Sequence, residues 1–179
     1  REHRLGSFGD YYRLVSSGQH PGELQTMVDL LTTNETYFFR ESRHFDFLRD
    51  EILGKHREGK NFRIWSAASS SGEEAYSMAM VLAETLPSNV TWEVFGSDIS
   101  TQVLAKARTG HYPIDRNEGI PDACMRKYCV RETGEHRGSF LIAPAIRQHV
   151  RFAQVNLTRP LTSQIGSFDV IFLRNVMIY

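Results

Sequence analysis

Residues 63–80 read RIWSAASSSGEEAYSMAM, and this stretch decides the fold because it matches a strand, a tight turn and a helix in succession. The pair at 64–65 is β-prone, and the six small residues at 67–72 let the backbone turn sharply where a ligand can approach. Ser71 and Glu74 match a capping box, and apolar residues then recur at helical spacing. The stretch therefore predicts a strand-to-helix crevice, which is where open α/β sheets bind ligands.

The turn lacks the features of a phosphate-binding loop. Such loops repeat glycines, or combine them with a lysine, so that backbone N–H groups face the phosphate oxygens. Here the turn has one glycine and no lysine, and Glu73 and Glu74 stand where a pyrophosphate would arrive. Their charges would repel it. We therefore expect a nucleoside that is cationic or free of phosphate, which argues against a dinucleotide oxidoreductase.

A further acid lies at the end of the next predicted strand, Trp92–Asp98. Asp98 stands about where α/β nucleotide folds place the carboxylate that binds a ribose diol, so we expect it to bind ribose. An alternative is that Asp98 caps the following helix, since Asp and Ser100 are both good N-caps. Glu74 has a comparable alternative, because a capping-box role alone would explain its presence.

Composition limits the class of protein. The chain has 179 residues and 41% apolar content, which suits one sizeable globular domain. Its 21 basic and 21 acidic side chains cancel, so no global field favours nucleic acid or an anionic membrane. No apolar run approaches the roughly 20 residues of a membrane span. Cys124 and Cys129 have no second pair to complete a zinc site, so we expect reduced thiols in a cytoplasmic protein.

The segment 32–40 reads TTNETYFFR and should fold over a neighbour, because three aromatic residues in a row cannot all face water. Arg40 follows them and is suited to a planar contact with a carboxylate. The alternative is a surface arginine that stacks on Phe38 or Tyr37. The next segment, 45–52, predicts an amphipathic helix.

Two later strands are predicted at 150–155 and 168–173. The second is a near-continuous apolar run, typical of a parallel strand buried on both faces, and is the best candidate for the centre of the sheet. The pairs Asn156–Leu157 and Arg174–Asn175 follow at the carboxyl ends of these strands, where such sheets bind ligands. The three histidines at 111, 136 and 149 lie far apart in sequence, so no metal site is expected.

Five strings resemble, in order and spacing, the bacterial chemotaxis receptor methyltransferases of the CheR family. They are Thr32–Glu41, Trp65–Glu74, Gly96–Ser100, Val155–Leu157 and Phe172–Tyr179. The resemblance covers nearly the whole chain. It implies an α/β fold with a class I S-adenosylmethionine-dependent methyltransferase (Rossmann-like) sheet, and a small antiparallel β insertion at about 128–150.

The same resemblance implies how the chain is divided. Residues 1–31 would be the remnant of an N-terminal helical domain, and residues 32–179 an S-adenosylmethionine-binding domain truncated at its C-terminal end. Four predicted core strands are fewer than the about seven of a complete sheet of this class. We therefore expect the chain to be a piece of a longer protein, or a partner to cover an exposed sheet edge.

The resemblance also implies a reaction. S-adenosylmethionine would donate a methyl group to glutamate side chains of chemotaxis receptors, forming methyl esters for sensory adaptation and leaving S-adenosylhomocysteine. The implied cofactor-binding residues are Asn34, Thr36, Arg40, Ala68, Glu74, Asp98, Asn156, Leu157, Arg174 and Asn175. Arg40 and Tyr179 would flank the transferred methyl group as catalytic residues, although Tyr179 could instead be a core-packing side chain.

The implied partners are the cytoplasmic domains of the receptors, docked through the insertion, with no nucleic acid and no membrane insertion. The basic residues near the insertion would face an acidic receptor surface, or would simply be solvated; they are Arg126, Lys127, Arg131 and Arg137. A nucleic-acid adenine methyltransferase is disfavoured, because 174–177 read RNVM where its base-holding motif would lie. A non-catalytic regulatory module that binds S-adenosylmethionine or a nucleotide remains an alternative.

Overall fold

A computed structural model describes residues 6–55, 61–161 and 165–176 of the chain. It divides into two compact units, Arg1–Thr33 and Asn34–Tyr179. Among the described residues, no helix is long and apolar enough to cross a membrane.

The first unit contains a pair of helices, α1 (Phe8–Ser16) and α2 (Pro21–Leu31). Ser7 caps α1, because its hydroxyl accepts a hydrogen bond from the N–H of Asp10. Helix α2 begins at Pro21, which suits the first turn because no N–H is needed there. Tyr11 connects the helices by donating its hydroxyl to Glu23 at 2.9 Å.

The second unit holds the other described elements. In chain order these are α3 (Ser42–Phe47), β1 (Phe62–Ala67), α4 (Glu73–Thr85), β2 (Trp92–Asp98), α5 (Thr101–Thr109), β3 (His111–Pro113), α6 (Asp122–Tyr128), β4 (Cys129–Arg131), β5 (Ser139–Ile142), α7 (Pro144–Arg147), β6 (Val150–Gln154) and β7 (Val170–Phe172). Turns of 3₁₀ helix lie at Leu53–Lys55, Ile114–Asn117 and Gly134–His136, and a π-helical turn lies at Leu48–Ile52.

Four parallel strands form the main sheet, in the spatial order β6-β2-β1-β7. Parallel neighbours need a crossover connection, and α4 supplies it between β1 and β2. The register pairs Ala67 with Ser97, so the carboxyl ends of the two central strands lie side by side. The turn after β1 is therefore brought next to the acid that ends β2.

The core lies between one face of this sheet and α4. Phe62, Ile64 and Val94 alternate with residues of the other face along the two central strands, and all three are fully buried. Met78 and Leu82 of α4 belong to the same buried cluster. Each such side chain contributes about 1.5–3 kcal/mol by leaving water, so this layer fixes where α4 begins relative to the strands.

A smaller antiparallel sheet, with β5 between β3 and β4, lies in sequence between α5 and β6. Its central strand, β5, lies within the insertion that the resemblance implies at about 128–150. The family resemblance implies that the insertion starts at about residue 128, whereas the structure already pairs His111–Pro113 with β5. A three-residue strand that includes a proline shows no alternation of apolar and polar residues, so it leaves no signal in the sequence.

Of the two later strands of the main sheet, one lies where it was predicted and the other does not. The core strand predicted at 150–155 is confirmed as β6, parallel to β2. The run at 168–173, predicted as the centre, forms β7, which pairs with β1 and has no strand on its other side among the described residues. Ile171 is 55% exposed and Leu173 is 47% exposed. An exposed apolar edge strand is a surface on which another chain can pair.

The helix predicted at 45–52 also differs. Its first part is α3, which begins at Ser42, and the residues from Leu48 to Ile52 form the π-helical turn. The N-cap of α3, Glu41, has a positive φ of 58° and no side-chain capping bond. Without a capping residue, the start of this helix carries no signal in the sequence.

We expect the 179-residue chain to self-associate through β7, and Ile171→Lys to weaken this association, because a charge on an edge strand opposes pairing. Sedimentation over a range of concentrations measures the effect. Val130→Lys is the control, since Val130 is an exposed apolar residue on an edge strand of the other sheet. A chain that stays monomeric at all concentrations would contradict the prediction.

Candidate active site

Backbone hydrogen bonds fix the turn between β1 and α4 against the end of β2. The N–H groups of Ala68 and Ser69 both donate to the carbonyl oxygen of Ser97, at 2.9 and 2.7 Å. Gly72 has a φ of 99°, and the non-glycine residues Ala68 and Ser70 also have positive φ, at 118° and 47°. Side-chain-bearing residues rarely adopt this conformation, so the surrounding contacts must hold it.

Asp98 holds this turn and the start of α5 together. Its Oδ2 accepts from the N–H of Ser70 at 2.9 Å, and its Oδ1 accepts from the N–H of Ser100 at 3.0 Å. The capping alternative for Asp98 is wrong, because Ser100 is the N-cap of α5 and accepts from the N–H of Val103. Asp98 is 8% exposed, and each of its oxygens keeps a lone pair for a further donor.

Four residues implied by the resemblance line one cleft of about 170 Å³ at the carboxyl edge of the sheet: Ala68, Asp98, Asn156 and Leu157. Val176 also lines this cleft. Asn156 is held in a tight turn, since its Oδ1 accepts from both the N–H and the hydroxyl of Thr158. The cleft therefore combines apolar walls with one carboxylate.

The predicted capping box at the start of α4 is wrong. The helix begins at Glu73, and its N-cap is Gly72, which makes no side-chain capping bond. Glu74 is thus the second helical residue, one short of the position that a capping box requires. Ser71 donates to Glu73 at 2.7 Å, while Glu74 accepts from Ser66 of β1 at 2.7 Å. Glu74 is thereby turned toward the sheet edge and is available to the site.

Arg174 joins Glu74 to the segment around Arg40. Its Nε lies 3.1 Å from Oε2 of Glu74, which is an ion pair without the alignment of a hydrogen bond. Its Nη2 donates to the carbonyl oxygen of Arg40 at 2.6 Å, and the neighbouring Asn175 donates to Glu41 at 3.2 Å. The Arg174 side chain is only 10% exposed, and its buried Nη1 has no hydrogen-bond partner among the described residues. That donor is free to bind a ligand.

Arg40 is held by its own segment. Its Nη1 donates to the carbonyl oxygen of Glu35 at 2.8 Å, and its guanidinium lies 5.6 Å from the centre of the Tyr37 ring. The stacking alternative is therefore observed, but it leaves most of the guanidinium donors unused. The segment reaches the turn through Asn34, whose carbonyl oxygen accepts from the hydroxyl of Ser70 at 3.3 Å.

The two remaining residues implied by the resemblance are Thr36 and Tyr179. The carbonyl oxygen of Thr36 accepts from Arg116 at 3.1 Å, so the structure ties this residue to the segment after β3. Tyr179 lies outside the described residues, and its proposed role stays a prediction.

Backbone strain marks the site more clearly than residue type does. In the described part of the chain, the non-glycine residues with positive φ are Phe39, Glu41, Ala68, Ser70 and Asn175. All five belong to the three segments that meet at the cleft and at Arg174. Such conformations cost about 1–3 kcal/mol each and cluster at functional sites. Sequence analysis missed Ser70, which contacts both Asp98 and Asn34, and a run of small residues was its only signal.

Two buried carboxylates, Glu73 and Glu74, lie at the start of α4 and have different neighbours. Burial raises the pKa of Glu73, against the hydrogen bond from Ser71 and more distant positive charges. Burial also raises the pKa of Glu74, although the Ser66 hydrogen bond and the charges of Arg174 and Arg40 favour its ionised form. A carboxylate in such a poorly solvated place attracts a cation strongly.

Two of the three histidines are closer together than their spacing in sequence suggests. The ring of His111, in β3, lies 5.8 Å from the ring of His136, in the 3₁₀ turn before β5, which corrects the expectation that these two are distant. Within the described ranges, no group of three or more His, Cys, Asp or Glu residues could hold a metal ion.

A parallel α/β sheet with a small-residue turn after β1 and an acid at the end of β2 agrees with the class I S-adenosylmethionine-dependent methyltransferase fold, which the matching family model assigns. The predicted fold class, with its small antiparallel sheet, is thus confirmed. The chain belongs to the family described as CheR methyltransferase, SAM binding domain, whose profile matches residues 34–179. The cofactor of this family is S-adenosylmethionine, as expected from the resemblance.

Three curated relatives are each named as a chemotaxis protein methyltransferase. A chemotaxis protein methyltransferase of Escherichia coli is 45% identical over 176 residues, covering 98% of this chain and 60% of that protein. One from Salmonella typhimurium is 41% identical over the same shares of the two chains. Chemotaxis protein methyltransferase 2 of Pseudomonas aeruginosa is 44% identical over 177 residues, 98% of this chain and 62% of that protein. The chain thus spans about three fifths of the length of these curated relatives.

We expect Glu73→Gln to stabilise the protein more at about pH 8 than at about pH 4. The folded state raises the pKa of Glu73, so it binds this proton more tightly than the unfolded state does. The stability of the parent therefore falls as pH rises from the unfolded pKa through the folded one, and the variant lacks this loss. Urea unfolding at several pH values measures the difference between the two proteins.

Glu84→Gln is a control of opposite sign on the same helix. Hydrogen bonds from Lys127 and Tyr128 lower the pKa of Glu84, so its contribution to stability is present above the unfolded pKa and is lost as pH falls. This variant should be less stable than the parent at high pH and similar to it at low pH. A Glu73→Gln effect that is equal at every pH would show that the buried charge does not matter.

Proposed function

We propose that this chain is the S-adenosylmethionine-binding part of an enzyme that methylates glutamate side chains of chemotaxis receptors, forming methyl esters for sensory adaptation. The proposal rests on one observation. Three strained segments bring the cleft that contains Asp98 together with the buried side chain of Arg174, which contacts both Glu74 and Arg40. The names of the relatives, all chemotaxis protein methyltransferases, agree with it.

The residues fit the cofactor group by group. The free lone pairs of Asp98 can accept hydrogen bonds from a ribose diol, and the walls formed by Ala68 and Leu157 suit the adenine. The unpartnered Nη1 of Arg174 can bind the carboxylate of the amino-acid end, a charge-assisted contact that arginine makes well. Glu74 contributes a buried negative charge nearby. When bound, S-adenosylmethionine supplies a methyl group on a positively charged sulfur.

The reaction needs alignment more than proton transfer. A receptor glutamate has a reference pKa of about 4.3, so it is already ionised at neutral pH and requires no general base. The site then contributes by orienting the carboxylate and by excluding water. Arg40 suits the first task, because Glu35 and Tyr37 hold its guanidinium while most of its donors stay free. Tyr179 is proposed as the second residue beside the methyl group.

The proposed partners are the cytoplasmic domains of chemotaxis receptors, which would place the protein in the cytoplasm. Three of the four arginines and lysines near the insertion support docking to an acidic surface. Arg126, Arg131 and Arg137 are exposed and have no ion pair among the described residues, whereas Lys127 pairs with Glu84 at 2.7 Å. The non-catalytic alternative has no observation of its own in its favour.

Methyl transfer to purified receptor cytoplasmic domains tests the proposal. With radiolabelled S-adenosylmethionine, the protein should label the receptor, and mild base should release the label as a carboxyl ester would. Label that resists base, or binding of the nucleoside without any transfer, would refute the proposed enzyme.

Arg40→Ala should lower methyl-transfer turnover by at least about a hundredfold, because the carboxylate loses its orienting cation. The affinity for S-adenosylhomocysteine, measured by calorimetry, should fall much less. Arg43→Ala is the matched control, since Arg43 is an exposed arginine three residues on, with no ion pair among the described residues. Equal turnover in Arg40→Ala and the parent would remove Arg40 from the mechanism.

A further inference from the structure

The antiparallel insertion packs against the cofactor-site segment 34–41. Phe38 of this segment is fully buried, and its ring meets the edge of the Tyr112 ring of β3 at 5.0 Å. The Phe140 ring of β5 lies 5.9 Å from Phe38 and 5.7 Å from Tyr112. Aromatic clusters of this kind bury large areas and have specific geometry, so Phe38 cannot shift without disturbing the small sheet.

The connection after β3 adds two contacts with the backbone of the same segment. Arg116 donates from Nη1 to the carbonyl oxygen of Thr36 at 3.1 Å. Gly119, with a φ of +91°, lies against the carbonyl oxygen of Phe38, and a Cβ atom on Gly119 would come within 2.3 Å of that oxygen. Only glycine can approach the segment so closely.

Helix α4 holds the segment from its other side. The N–H of Phe39 donates to the hydroxyl of Ser77 at 2.9 Å, and that hydroxyl donates to the carbonyl oxygen of Glu73. Phe39 and Glu41 have positive φ values of 54° and 58°, which require outside support. The segment is therefore held between α4 and the insertion, and it reaches the cofactor site through Asn34 and Arg40.

We infer that the insertion sets the position of segment 34–41, and that Arg116 and Gly119 are positioning residues for cofactor binding. They act through the carbonyl oxygens of Thr36 and Phe38 and are not among the residues that line the cleft. The identity of the cofactor rests on the proposed function, but the mechanical link between insertion and segment does not. Because coupling between two sites is reciprocal, binding at the cleft also stabilises the insertion.

Gly119→Ala tests the close approach, with Gly138→Ala as the matched control. Both glycines have similar positive φ, +91° and +98°, but a Cβ on Gly138 meets nothing within 4 Å. We expect Gly119→Ala to weaken S-adenosylhomocysteine binding about tenfold and to raise the KM for S-adenosylmethionine more than it lowers kcat. Gly138→Ala should change both by less than about twofold.

Arg116→Gln is a milder variant that retains the fold even where Gly119→Ala does not. It should weaken binding about threefold, and Arg116→Lys should recover part of the loss, since a lysine can still donate to a carbonyl oxygen. Lys106→Gln is the control, because Lys106 is an exposed cation that lines the same pocket as Arg116 and, among the described residues, donates no side-chain hydrogen bond to segment 34–41. All binding is measured well below the unfolding temperature of each variant, so a merely structural effect would leave affinity unchanged.

Hydrogen exchange without any nucleoside separates this inference from the proposed function. The amides of residues 34–41 should exchange faster in Gly119→Ala and Arg116→Gln than in the parent, Gly138→Ala and Lys106→Gln. Unchanged exchange and unchanged affinity in both positioning variants would overturn the inference. A parent that binds no S-adenosylhomocysteine but shows the expected exchange pattern would refute the proposed cofactor and leave the mechanical link in place.

Discussion

The carboxylate of Asp98 is the contact on which the site depends. One oxygen accepts a hydrogen bond from the N–H of Ser70 in the strained turn after β1, and the other accepts one from the N–H of Ser100 at the start of α5. A single side chain therefore fixes the starts of both α4 and α5 beside the central strands. The parallel register places Ala67 and Ser97 side by side, which brings the acid within reach of the turn. Because both oxygens are oriented by backbone N–H groups, their remaining lone pairs point in directions that the fold determines before any ligand arrives.

The charge that matters in this protein is local. Acidic and basic side chains cancel over the whole chain, yet two acids and two arginines converge at the carboxyl edge of the sheet. These are Glu41 and Glu74 with Arg40 and Arg174; burial makes ionisation of Glu74 harder, while Arg174 partly compensates its charge. A cationic nucleoside that also carries a carboxylate complements such a mixed site better than a polyanion does.

Sequence reasoning succeeded where a residue type determines a local shape. The small-residue turn, β2 ending in Asp98 and the core strand at 150–155 follow from spacing and composition, and all are present. It failed where distant contacts decide. The N-cap of α4 is Gly72 and not the predicted Ser71, because backbone N–H groups of the turn donate hydrogen bonds to Ser97. No local sequence pattern indicates these hydrogen bonds. The positive φ of Phe39 is likewise imposed from outside the segment, by α4 and the insertion.

The packing of Phe38 against Phe140 joins positions about a hundred residues apart, and such non-local contacts form late because a long loop must close first. On the ribosome, the segment around Arg40 emerges long before the aromatic rings that will lock it. The nascent chain must therefore pass through a period in which its central strands exist but its pocket does not. Competence to bind a nucleoside arrives only once synthesis has moved well past the middle of this chain.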